Sequence, residues 1–346
     1  MVRARTLVGA AAGLAVSGLL FRQSLRRNRR WNFNRRVVLI TGGSRGLGLV
    51  LARQFAAEGA RLATVARDAA ELDRACHELN AAGAEVLGLP CDVRSEASAS
   101  QAVEAALRHY GRLDVLVNNA GVIQVAPLEN MSRQDFEDAM AVHLWGPLNM
   151  ILAALPHMRQ QRQGRIVNIS SIGGKVAMPH LVPYSASKFA LVGLSDGLHA
   201  ELVKSGIHVT TVCPGLMRTG SPARAFFKGH HDQEFTWFAI SDSLPLVTVS
   251  AERAAKSIVK ACRYGDPHLV ISVPAKVVAF CAAVFPNLTI ETLSLVHRLL
   301  PKAAADAGDR SWTGLESQTA WAPSLLTRLS DRAAARNNEL PRNGKH

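Results

Sequence analysis

The 346-residue chain lacks the cysteine pattern of a disulfide framework or of a structural zinc site. Its five cysteines are odd in number, scattered and without a C-x-x-C pair, which indicates a reducing compartment. It also lacks an internal repeat, and this excludes a solenoid. His230, His231 and Asp232 stand together, but no other ligand-spaced group accompanies them, so we interpret them as a solvated loop and predict no metal site.

Acidic residues are absent from the first 36 residues, which contain nine arginines. Subtracting these nine charges from the net charge of +13 leaves only +4 for the remaining 310 residues. A strongly basic chain can bind nucleic acid. Here, however, an uncharged apolar run from Thr6 to Phe21 lies in the middle of the basic arm. We therefore expect no nucleic-acid partner.

The apolar run from Thr6 to Phe21 is slightly shorter than the ~20 residues typical of a spanning helix. Arginines follow it, whereas a signal peptide would have a small-residue cleavage site there. A cleaved signal and a packed helix are the alternatives to our interpretation, which is a transmembrane anchor helix. Because the positive charges follow the run, the catalytic body is expected to face the cytoplasm. Residues 1–35 then form a membrane anchor and basic linker.

From residue 36 onwards, short β-branched runs alternate with helix-length segments. Alternation of this kind predicts an α/β fold with a doubly wound parallel sheet, which we assign to residues 36–275. The predicted strands are Val37 to Ile40, Arg61 to Ala66, Glu85 to Leu89, Leu113 to Val117, Arg165 to Ile169, Ile207 to Val212 and His268 to Ser272. Helices are expected between successive strands.

Two stretches fall outside this alternation. Residues 216–249 lack periodicity and are interpreted as a flexible insertion over a site, whose aromatic residues form either a lid over the substrate or simple packing: Phe226, Phe227, Phe235, Trp237 and Phe238. Residues 276–346 begin with two apolar helical stretches that are separately too short to span a bilayer. They form either a pocket wall or subunit contact, or helices lying on a membrane. The tail from Lys302 is expected to be loosely ordered.

Three motifs carry chemistry. A glycine-rich turn, T-G-x-x-x-G-x-G from Thr41 to Gly48, follows the first strand and opens a helix, where backbone N–H groups can bind a pyrophosphate. Asn118 to Gly121 (N-N-A-G) ends the fourth strand. Tyr184 and Lys188 are four residues apart, so a helix places them on one face. A phenol titrates near pH ~10 and needs a neighbouring positive charge to transfer protons at neutral pH.

In this order, the three motifs resemble the short-chain dehydrogenases/reductases (SDR). The resemblance implies a Rossmann-type seven-stranded sheet of order 3-2-1-4-5-6-7 that binds a nicotinamide dinucleotide at the carboxyl ends of its strands. Hydride transfer generates an alkoxide that must be protonated as it forms. The implied catalytic residues are Ser171, which hydrogen-bonds the substrate oxygen, Tyr184 as general acid and base, and Lys188, which lowers the tyrosine pKa. Ser170 is the structural neighbour of Ser171.

The resemblance also implies a set of cofactor-binding residues along the strand ends. They are Gly42, Ser44, Arg45, Gly46, Leu47, Gly48, Arg67, Asp92, Val93, Asn118, Ala120, Gly121, Tyr184, Lys188, Pro214, Gly215 and Thr219. Asp92 could instead cap a helix. Ala66 occupies the position where an acidic residue would bind the ribose of NAD, and Arg67 follows it. With Arg45 as a second cation, this favours NADP(H) over NAD(H).

One position departs from the family pattern. His143 stands where the family usually has an asparagine that holds a water linking the lysine to solvent. Three interpretations remain open: a tolerated substitution, since an imidazole can also hydrogen-bond a water; an altered proton relay that follows histidine protonation near neutral pH; and impaired catalysis. We include His143 among the candidate catalytic residues.

The sequence thus predicts a membrane-anchored, NADPH-dependent carbonyl reductase or alcohol dehydrogenase. Its substrate is expected to be a lipophilic ketone or secondary alcohol of lipid metabolism. The alternative is a catalytically weak nucleotide-sensing or scaffold protein that keeps the fold, which His143 motivates. The resemblance further implies a homodimer or homotetramer that pairs through two long helices at one edge of the sheet.

Overall fold

The computed structural model describes residues 23–24, 26–245, 247–304, 310–325 and 327–340. The apolar run from Thr6 to Phe21, which we predict to be the anchor helix, lies outside the described residues.

A seven-stranded sheet forms the centre of the fold, and each of its strand pairs is parallel. Its strands are β1 (Val37–Thr41), β2 (Arg61–Ala66), β3 (Val86–Pro90), β4 (Val115–Asn118), β6 (Gly164–Ile169), β7 (Ile207–Pro214) and β11 (His268–Ile271). They lie in the order β11-β7-β6-β4-β1-β2-β3. Counting these strands alone, this is the predicted order 3-2-1-4-5-6-7. The prediction of a Rossmann-type α/β fold is confirmed.

Five shorter strands form two small sheets outside this centre. They are β5 (Gln124–Val125), β8 (Met217–Arg218), β9 (Phe226–Phe227), β10 (Val249–Ser250) and β12 (Trp312–Thr313). β10 pairs with β8, and β9 lies between β5 and β12. Since β12 belongs to the C-terminal tail, the tail is joined to the region that follows β4.

Helices connect the strands of the central sheet, and further helices lie in the region that follows β7 and in the C-terminal tail. They are α1 (Gly46–Ala57), α2 (Ala69–Ala81), α3 (Glu96–Tyr110), α4 (Arg133–Met140), α5 (Gly146–Gln160), α6 (Val182–Leu202), α7 (His231–Ser241), α8 (Ala251–Tyr264), α9 (Val273–Val284), α10 (Pro286–His297) and α11 (Arg328–Arg336). Local signals fix several ends: Asp68 accepts the Glu71 N–H at the start of α2, and Ser95 accepts the Ser98 N–H at the start of α3. Gly111 ends α3 in the left-handed conformation.

Two apolar clusters fill the space on the two faces of the sheet. One packs α1 and α8 against alternate strand residues such as Val38 and Ile40, and the other packs α3 and α5 against Leu39 and Leu116. Because successive strand residues point to opposite faces, a strand that is buried throughout serves both clusters. This packing holds the carboxyl ends of the strands, and the loops that follow them, at one edge of the sheet.

The helical run Arg133–Gln160 joins α4 to α5 through a π-helical turn, Ala141–Trp145. Within the described residues, it is the one helix that is long and apolar enough to cross a membrane, and 44% of its most apolar window is buried inside the fold. Its inner side chains Met150, Ile151 and Met158 belong to the core cluster that α3 shares. This run is therefore explained as a core helix of the α/β fold.

The hairpin of α9 and α10 is apolar and exposed. Phe280 is 63% exposed, Leu288 is 67% exposed and Ile290 is 62% exposed. Among the described residues of the two helices, Ala275 alone is buried. The hairpin follows β11 directly, so it starts at the carboxyl edge of the sheet.

The region between β7 and α8, expected to be a flexible insertion, contains the regular helix α7. Phe227, Phe235 and Phe238 are buried in a third apolar cluster together with Val125 and Ala322. Sequence periodicity did not reveal this helix because its apolar residues contact several loops and the tail rather than one face of the sheet.

Candidate active site

A cavity of about 1080 Å³ lies at the carboxyl edge of the sheet. The predicted residues that line it are Gly42, Ser44, Arg45, Gly46, Leu47, Arg67, Asp92, Val93, Ala120, Gly121, His143, Tyr184, Lys188 and Thr219. Gly48, Asn118 and Ser171 are each adjacent in sequence to a lining residue, whereas Pro214 and Gly215 lie two to three residues before the lining residue Met217. The cavity therefore brings together residues from the ends of five strands.

The glycine-rich turn fits between β1 and the loop after β4. Gly42 has a φ of +64°, and a Cβ at this position would lie 3.0 Å from the Cα of Ala120. A Cβ on Gly48 would clash with the carbonyl oxygen of Gly42. Asn119 fixes the turn, because its Nδ2 donates to the carbonyl oxygen of Thr41 at 3.0 Å. The first and third motif glycines are thus required by close backbone approach.

Tyr184 and Lys188 occupy the first turns of α6 at the floor of the cavity. The Nζ of Lys188 lies 5.6 Å from the centroid of the Tyr184 ring and donates to the carbonyl oxygen of Ile169 at 3.0 Å. Ser171 follows β6, and a Cβ placed on Gly173 would lie 3.1 Å from the Tyr184 ring and 3.5 Å from the Ser171 hydroxyl. Gly173 thus leaves the space between these two side chains open.

Burial dominates the electrostatics of this pair. It raises the pKa of the Tyr184 phenol, while the Ser171 hydroxyl acts in the opposite direction. Burial also lowers the pKa of Lys188 to about 7. Removal from water favours the neutral form of both groups. Desolvation therefore opposes the effect expected of Lys188, which is to lower the pKa of Tyr184. A bound ligand that is polar or charged would change this balance.

The two serines after β6 point to different partners. The Oγ of Ser170 donates to the carbonyl oxygen of Lys188 at 3.0 Å and thereby ties β6 to α6. The Oγ of Ser171 accepts the Gly173 N–H at 3.0 Å. Ser170 therefore makes a contact between β6 and α6, while Ser171 lies beside Tyr184.

Asn118 is buried, and its side chain belongs to a series of hydrogen bonds between side chains. Its Nδ2 donates to Asn168 at 2.8 Å, and Asn168 in turn donates to Ser195 at 2.8 Å. The Oδ1 atom of Asn118 is buried without a hydrogen-bond partner among the described residues. Asn118 thus links β4, β6 and α6 below the cavity.

His143 is buried on the π-helical turn, and both of its ring nitrogens have partners. Its Nε2 accepts the Val122 N–H at 3.1 Å, so the ring proton resides on Nδ1, which lies 2.8 Å from the Oγ of Ser187. Burial, reinforced by the charge of Lys188, holds the pKa of His143 well below its usual value. The ring is therefore neutral at neutral pH, which favours a tolerated substitution over a relay that follows histidine protonation.

Asp92 and Arg94 form an ion pair at the mouth of the cavity, with 2.6 Å between the Nη2 of Arg94 and the Oδ2 of Asp92. Hydrogen bonding from Arg94 lowers the pKa of Asp92, and the positive charge of Arg67 acts in the same direction. The cap of α3 is Ser95, so the alternative role of Asp92 as that cap is wrong. Arg67 itself is exposed and forms no hydrogen bond or ion pair with the described residues.

The structure adds charged residues that the sequence did not single out. Glu71 on α2 binds Arg45 and Arg224, each at 2.8 Å. The Nζ of Lys228 lies 2.7 Å from Asp135 in a nearly buried pair. Glu339 of the tail also lines the cavity. Their sequence neighbourhoods carry no motif, and distant segments must fold together before these contacts exist.

The residues present fit a nicotinamide dinucleotide. The glycine turn leaves no room for a Cβ, as close approach of a pyrophosphate requires. The cavity extends along strand ends from Arg67 to Lys188, and its lining carries cations and backbone N–H groups at the start of α1. Gly42, Leu47 and Ala120 would hold the cofactor, with Lys188 beside its reactive end.

Comparison with known proteins agrees with this site. Residues 36–226 match the family model described as short chain dehydrogenase. The chain is 38% identical over 218 residues to the granaticin polyketide synthase putative ketoacyl reductase 1 of Streptomyces violaceoruber, covering 61% of this chain and 79% of that protein. It is 37% identical over 196 residues to the D-threitol dehydrogenase of Mycolicibacterium smegmatis, covering 53% and 71% of the two chains.

A solved structure shows the same fold. The crystal structure of a short-chain dehydrogenase from Streptomyces avermitilis matches with a TM-score of 0.66 and 29% identity over 76% of this chain and 98% of that chain. Enzymes of this family use NAD(P)(H), act on small molecules and often form oligomers. The chain described here belongs to the short-chain dehydrogenase family and is an oxidoreductase acting on CH–OH or C=O groups.

Proposed function

We propose that the protein is an NADP(H)-dependent carbonyl reductase or alcohol dehydrogenase of lipophilic ketones or secondary alcohols. The observation that carries the proposal is that Tyr184 and Lys188 line the same cavity as the glycine turn, while Ser171 lies next to Tyr184. A nicotinamide held by these residues would supply or accept the hydride. The hydroxyl of Tyr184 donates the proton to the developing alkoxide, and that of Ser171 hydrogen-bonds the same oxygen.

The preference for NADP(H) is supported by the end of β2. Ala66 offers no carboxylate to the ribose, while Arg67 is an exposed cation at the rim of the cavity. A 2′-phosphate would find in Arg67 a guanidinium that no described carboxylate neutralises by an ion pair. Arg45 lies on the same cavity wall, although Glu71 already pairs with it.

A lipophilic substrate and a membrane location are supported by the exposed apolar hairpin of α9 and α10. Apolar side chains on a short, unburied hairpin are suited to the interface of a bilayer. The ring of His297 at the end of α10 lies 5.3 Å from that of His180, so the hairpin packs against the loop that precedes α6 and Tyr184. Together with the predicted anchor before residue 23, the hairpin would hold the cavity near lipid, with the catalytic body on the cytoplasmic side. The similarity to the putative ketoacyl reductase of Streptomyces violaceoruber makes acyl-chain ketones one class to assay.

Pairing of subunits is supported by the outer faces of the two long helices. Leu152 on α5 is 54% exposed and Phe189 on α6 is 44% exposed. A homodimer or homotetramer formed through these helices would cover both side chains. Light scattering of Leu152→Lys and Phe189→Lys variants, which should dissociate the oligomer, tests this assembly.

The test of the proposed activity is NADPH oxidation with a panel of lipophilic ketones, measured for the unchanged protein and for Tyr184→Phe. The variant should lose about 10²- to 10⁴-fold in kcat, the usual contribution of a general acid, and should still bind NADPH. If the unchanged protein binds NADPH but turns over no ketone or alcohol of the panel, the proposed substrate class is wrong. Sedimentation of the full chain with membranes tests the location, and its recovery in the soluble fraction would contradict the anchor.

A further inference from the structure

The C-terminal segment Asn337–Glu339 lies against the glycine-rich turn. The Gly46 N–H donates to the carbonyl oxygen of Asn337 at 2.8 Å, and the Nδ2 of Asn338 donates to the carbonyl oxygen of Ser44 at 2.9 Å. An N–H at the start of a helix is a donor that anions seek in dinucleotide-binding folds. The tail thus engages the same wall of the cavity that a dinucleotide would use.

Two arginines fasten this segment from either side. Arg53 on α1 donates to the carbonyl oxygen of Arg336 at 3.0 Å and to the Asn337 side chain at 3.2 Å. Arg224 donates from Nε to the carbonyl oxygen of Glu339 at 2.7 Å. The segment is therefore held by backbone contacts that do not depend on the Glu339 carboxyl group.

The carboxyl group of Glu339 points into the cavity beside Arg45. Its side chain is 7% exposed, and its Oε2 lies 3.3 Å from the Nε of Arg45. This oxygen has no hydrogen-bond partner among the described residues. A Cβ on Gly46 would clash with the other carboxyl oxygen, so the group rests directly on the glycine turn. A buried carboxyl oxygen without a hydrogen bond is open to a ligand group in the cavity.

Arg45 forms ion pairs with two glutamates, Glu71 and Glu339. Its Nη1 binds Glu71 at 2.8 Å, and Glu71 also binds Arg224. Two carboxyl groups, those of Glu71 and Glu339, therefore face the guanidinium groups of Arg45 and Arg224, so neither of these two arginines carries a surplus positive charge for an added phosphate. Like charges that approach in a poorly solvated site repel each other.

We propose that Glu339 is a specificity-determining residue that weakens the binding of the 2′-phosphate of NADP(H) relative to NAD(H), because its carboxylate competes with that phosphate for Arg45. The inference rests on the proposed use of NADP(H). It adds a residue of the C-terminal tail to the cofactor site, about 290 residues away from the glycine turn in sequence.

The charge of Glu339 depends on pH in the neutral range. Burial raises its pKa to about 7, while Arg45 and Arg224 act to lower it and Glu71 acts to raise it further. Arg53 is a further charged group that contacts the segment. The repulsion is therefore expected above pH 7 and is relieved below it, where the carboxyl group is neutral.

The experiment is calorimetric titration of the full chain with NADP⁺ and with NAD⁺ at pH 6 and pH 8.5, for the unchanged protein, Glu339→Gln and the control Glu316→Gln. Glu316 is an exposed carboxylate of the same tail whose partner is Thr313, outside the cavity. At pH 8.5, Glu339→Gln should bind NADP⁺ roughly tenfold more tightly, a change in binding free energy equal to that of one pKa unit. Its affinity for NAD⁺ should stay within about twofold of that of the unchanged protein. At pH 6 the gain should shrink to about twofold, since a glutamic acid is then close to neutral. Glu316→Gln should match the unchanged protein throughout.

A ratio of NADP⁺ to NAD⁺ affinity that stays constant in Glu339→Gln, or moves towards NAD⁺, overturns the proposal. A second measurement does not depend on the folding of a variant. In the unchanged protein this ratio should fall between pH 6.5 and pH 8.5, whereas ionisation of the 2′-phosphate, with a second pKa near ~6, would by itself raise it. A rising or constant ratio also contradicts the role of Glu339. Tighter binding of NAD⁺ than NADP⁺ at both pH values would refute the proposed cofactor preference, while the comparison between variants still decides the role of Glu339.

Discussion

The Nδ1 of His143 lies 2.8 Å from the Oγ of Ser187, and this contact joins the π-helical turn between α4 and α5 to the helix that carries Tyr184. The Ser187 hydroxyl donates a hydrogen bond to the carbonyl oxygen of Tyr184 at 2.8 Å, so the imidazole must donate to Ser187. On its other side the imidazole accepts the Val122 N–H. His143 thus holds the backbone on two sides of the cavity as a neutral group.

Replacing His143 with asparagine should leave the pH dependence of kcat/KM unchanged between pH 6 and pH 8. Burial holds the pKa of the histidine well below this range, so no proton is lost from it there. We expect kcat to change by less than about fivefold, because an asparagine can keep one of the two contacts. A pH profile whose midpoint shifts in His143→Asn would restore the proton-relay interpretation. His143→Ala is the control that removes both contacts, and its thermal unfolding temperature should fall.

Replacing Lys188 with methionine should abolish activity and stabilise the fold at neutral pH. Burial lowers the pKa of this lysine from 10.5 to about 7. The unfolded chain therefore binds its proton more tightly, and the penalty is complete below pH 7 and disappears as the pH rises from 7 to 10.5. Urea unfolding should show Lys188→Met to be more stable by about 1 to 3 kcal/mol at pH 7. The difference should shrink by pH 10, and a difference that is constant with pH would contradict this account.

Replacing Asp114 with asparagine should destabilise the protein by about 3 kcal/mol, the usual cost of breaking a buried ion pair. Asp114 is fully buried, which raises its pKa, but hydrogen bonds from Arg112, Val37 and Arg36 outweigh burial and lower the pKa below 3.8. A depressed carboxyl pKa gives stability that is present above the unfolded pKa and is lost as the pH falls through the folded one. The loss caused by Asp114→Asn should therefore vanish at acid pH. Glu104→Gln, at an exposed ion pair, should change stability by less than about 0.5 kcal/mol.

Replacing Arg67 with alanine should weaken NADP⁺ binding by roughly tenfold and leave NAD⁺ binding within about twofold, because a charge-assisted hydrogen bond to a phosphate contributes about 1.5 to 3 kcal/mol. Titration calorimetry measures both affinities without requiring a substrate. Arg108→Ala is a matched control, since Arg108 is exposed on α3 and lies outside the cavity. Equal losses for both dinucleotides would mean that Arg67 does not read the 2′-phosphate.

Local patterns predicted most of the sheet and the main site residues. Strands such as β2 are short apolar runs between helix-length segments, and burial on both faces requires such runs. The glycine turn and the pair Tyr184 and Lys188 are equally local, since their spacing alone places them on a turn and on one helical face. The direction of the pKa shifts could not be predicted from these local patterns. Burial raises the pKa of Tyr184, and how deeply the phenol is buried depends on the whole fold.

Features that depend on distant parts of the chain could not be predicted. The polar, alanine-rich sequence of α11 resembles a solvated tail, yet a close contact between Gly220 and Ala334 places this helix beside the cavity. The burial of Phe227 and Phe238 needs Ala322 of the tail as well. Hydrophobic periodicity within a short stretch of sequence carries no information about such long-range contacts.

If the exposed hairpin of α9 and α10 lies on a membrane, as we propose, the substrate concentration that governs the rate is the concentration within the bilayer. The hairpin starts at the carboxyl edge of the sheet, where the cavity also lies, so a bilayer that covers Phe280 and Leu288 would place the site next to substrate dissolved in the membrane. Occupancy of the site would then depend on the surface density of the substrate among the lipids. At a fixed bulk concentration of ketone, adding inert lipid vesicles would dilute the substrate in two dimensions and slow turnover.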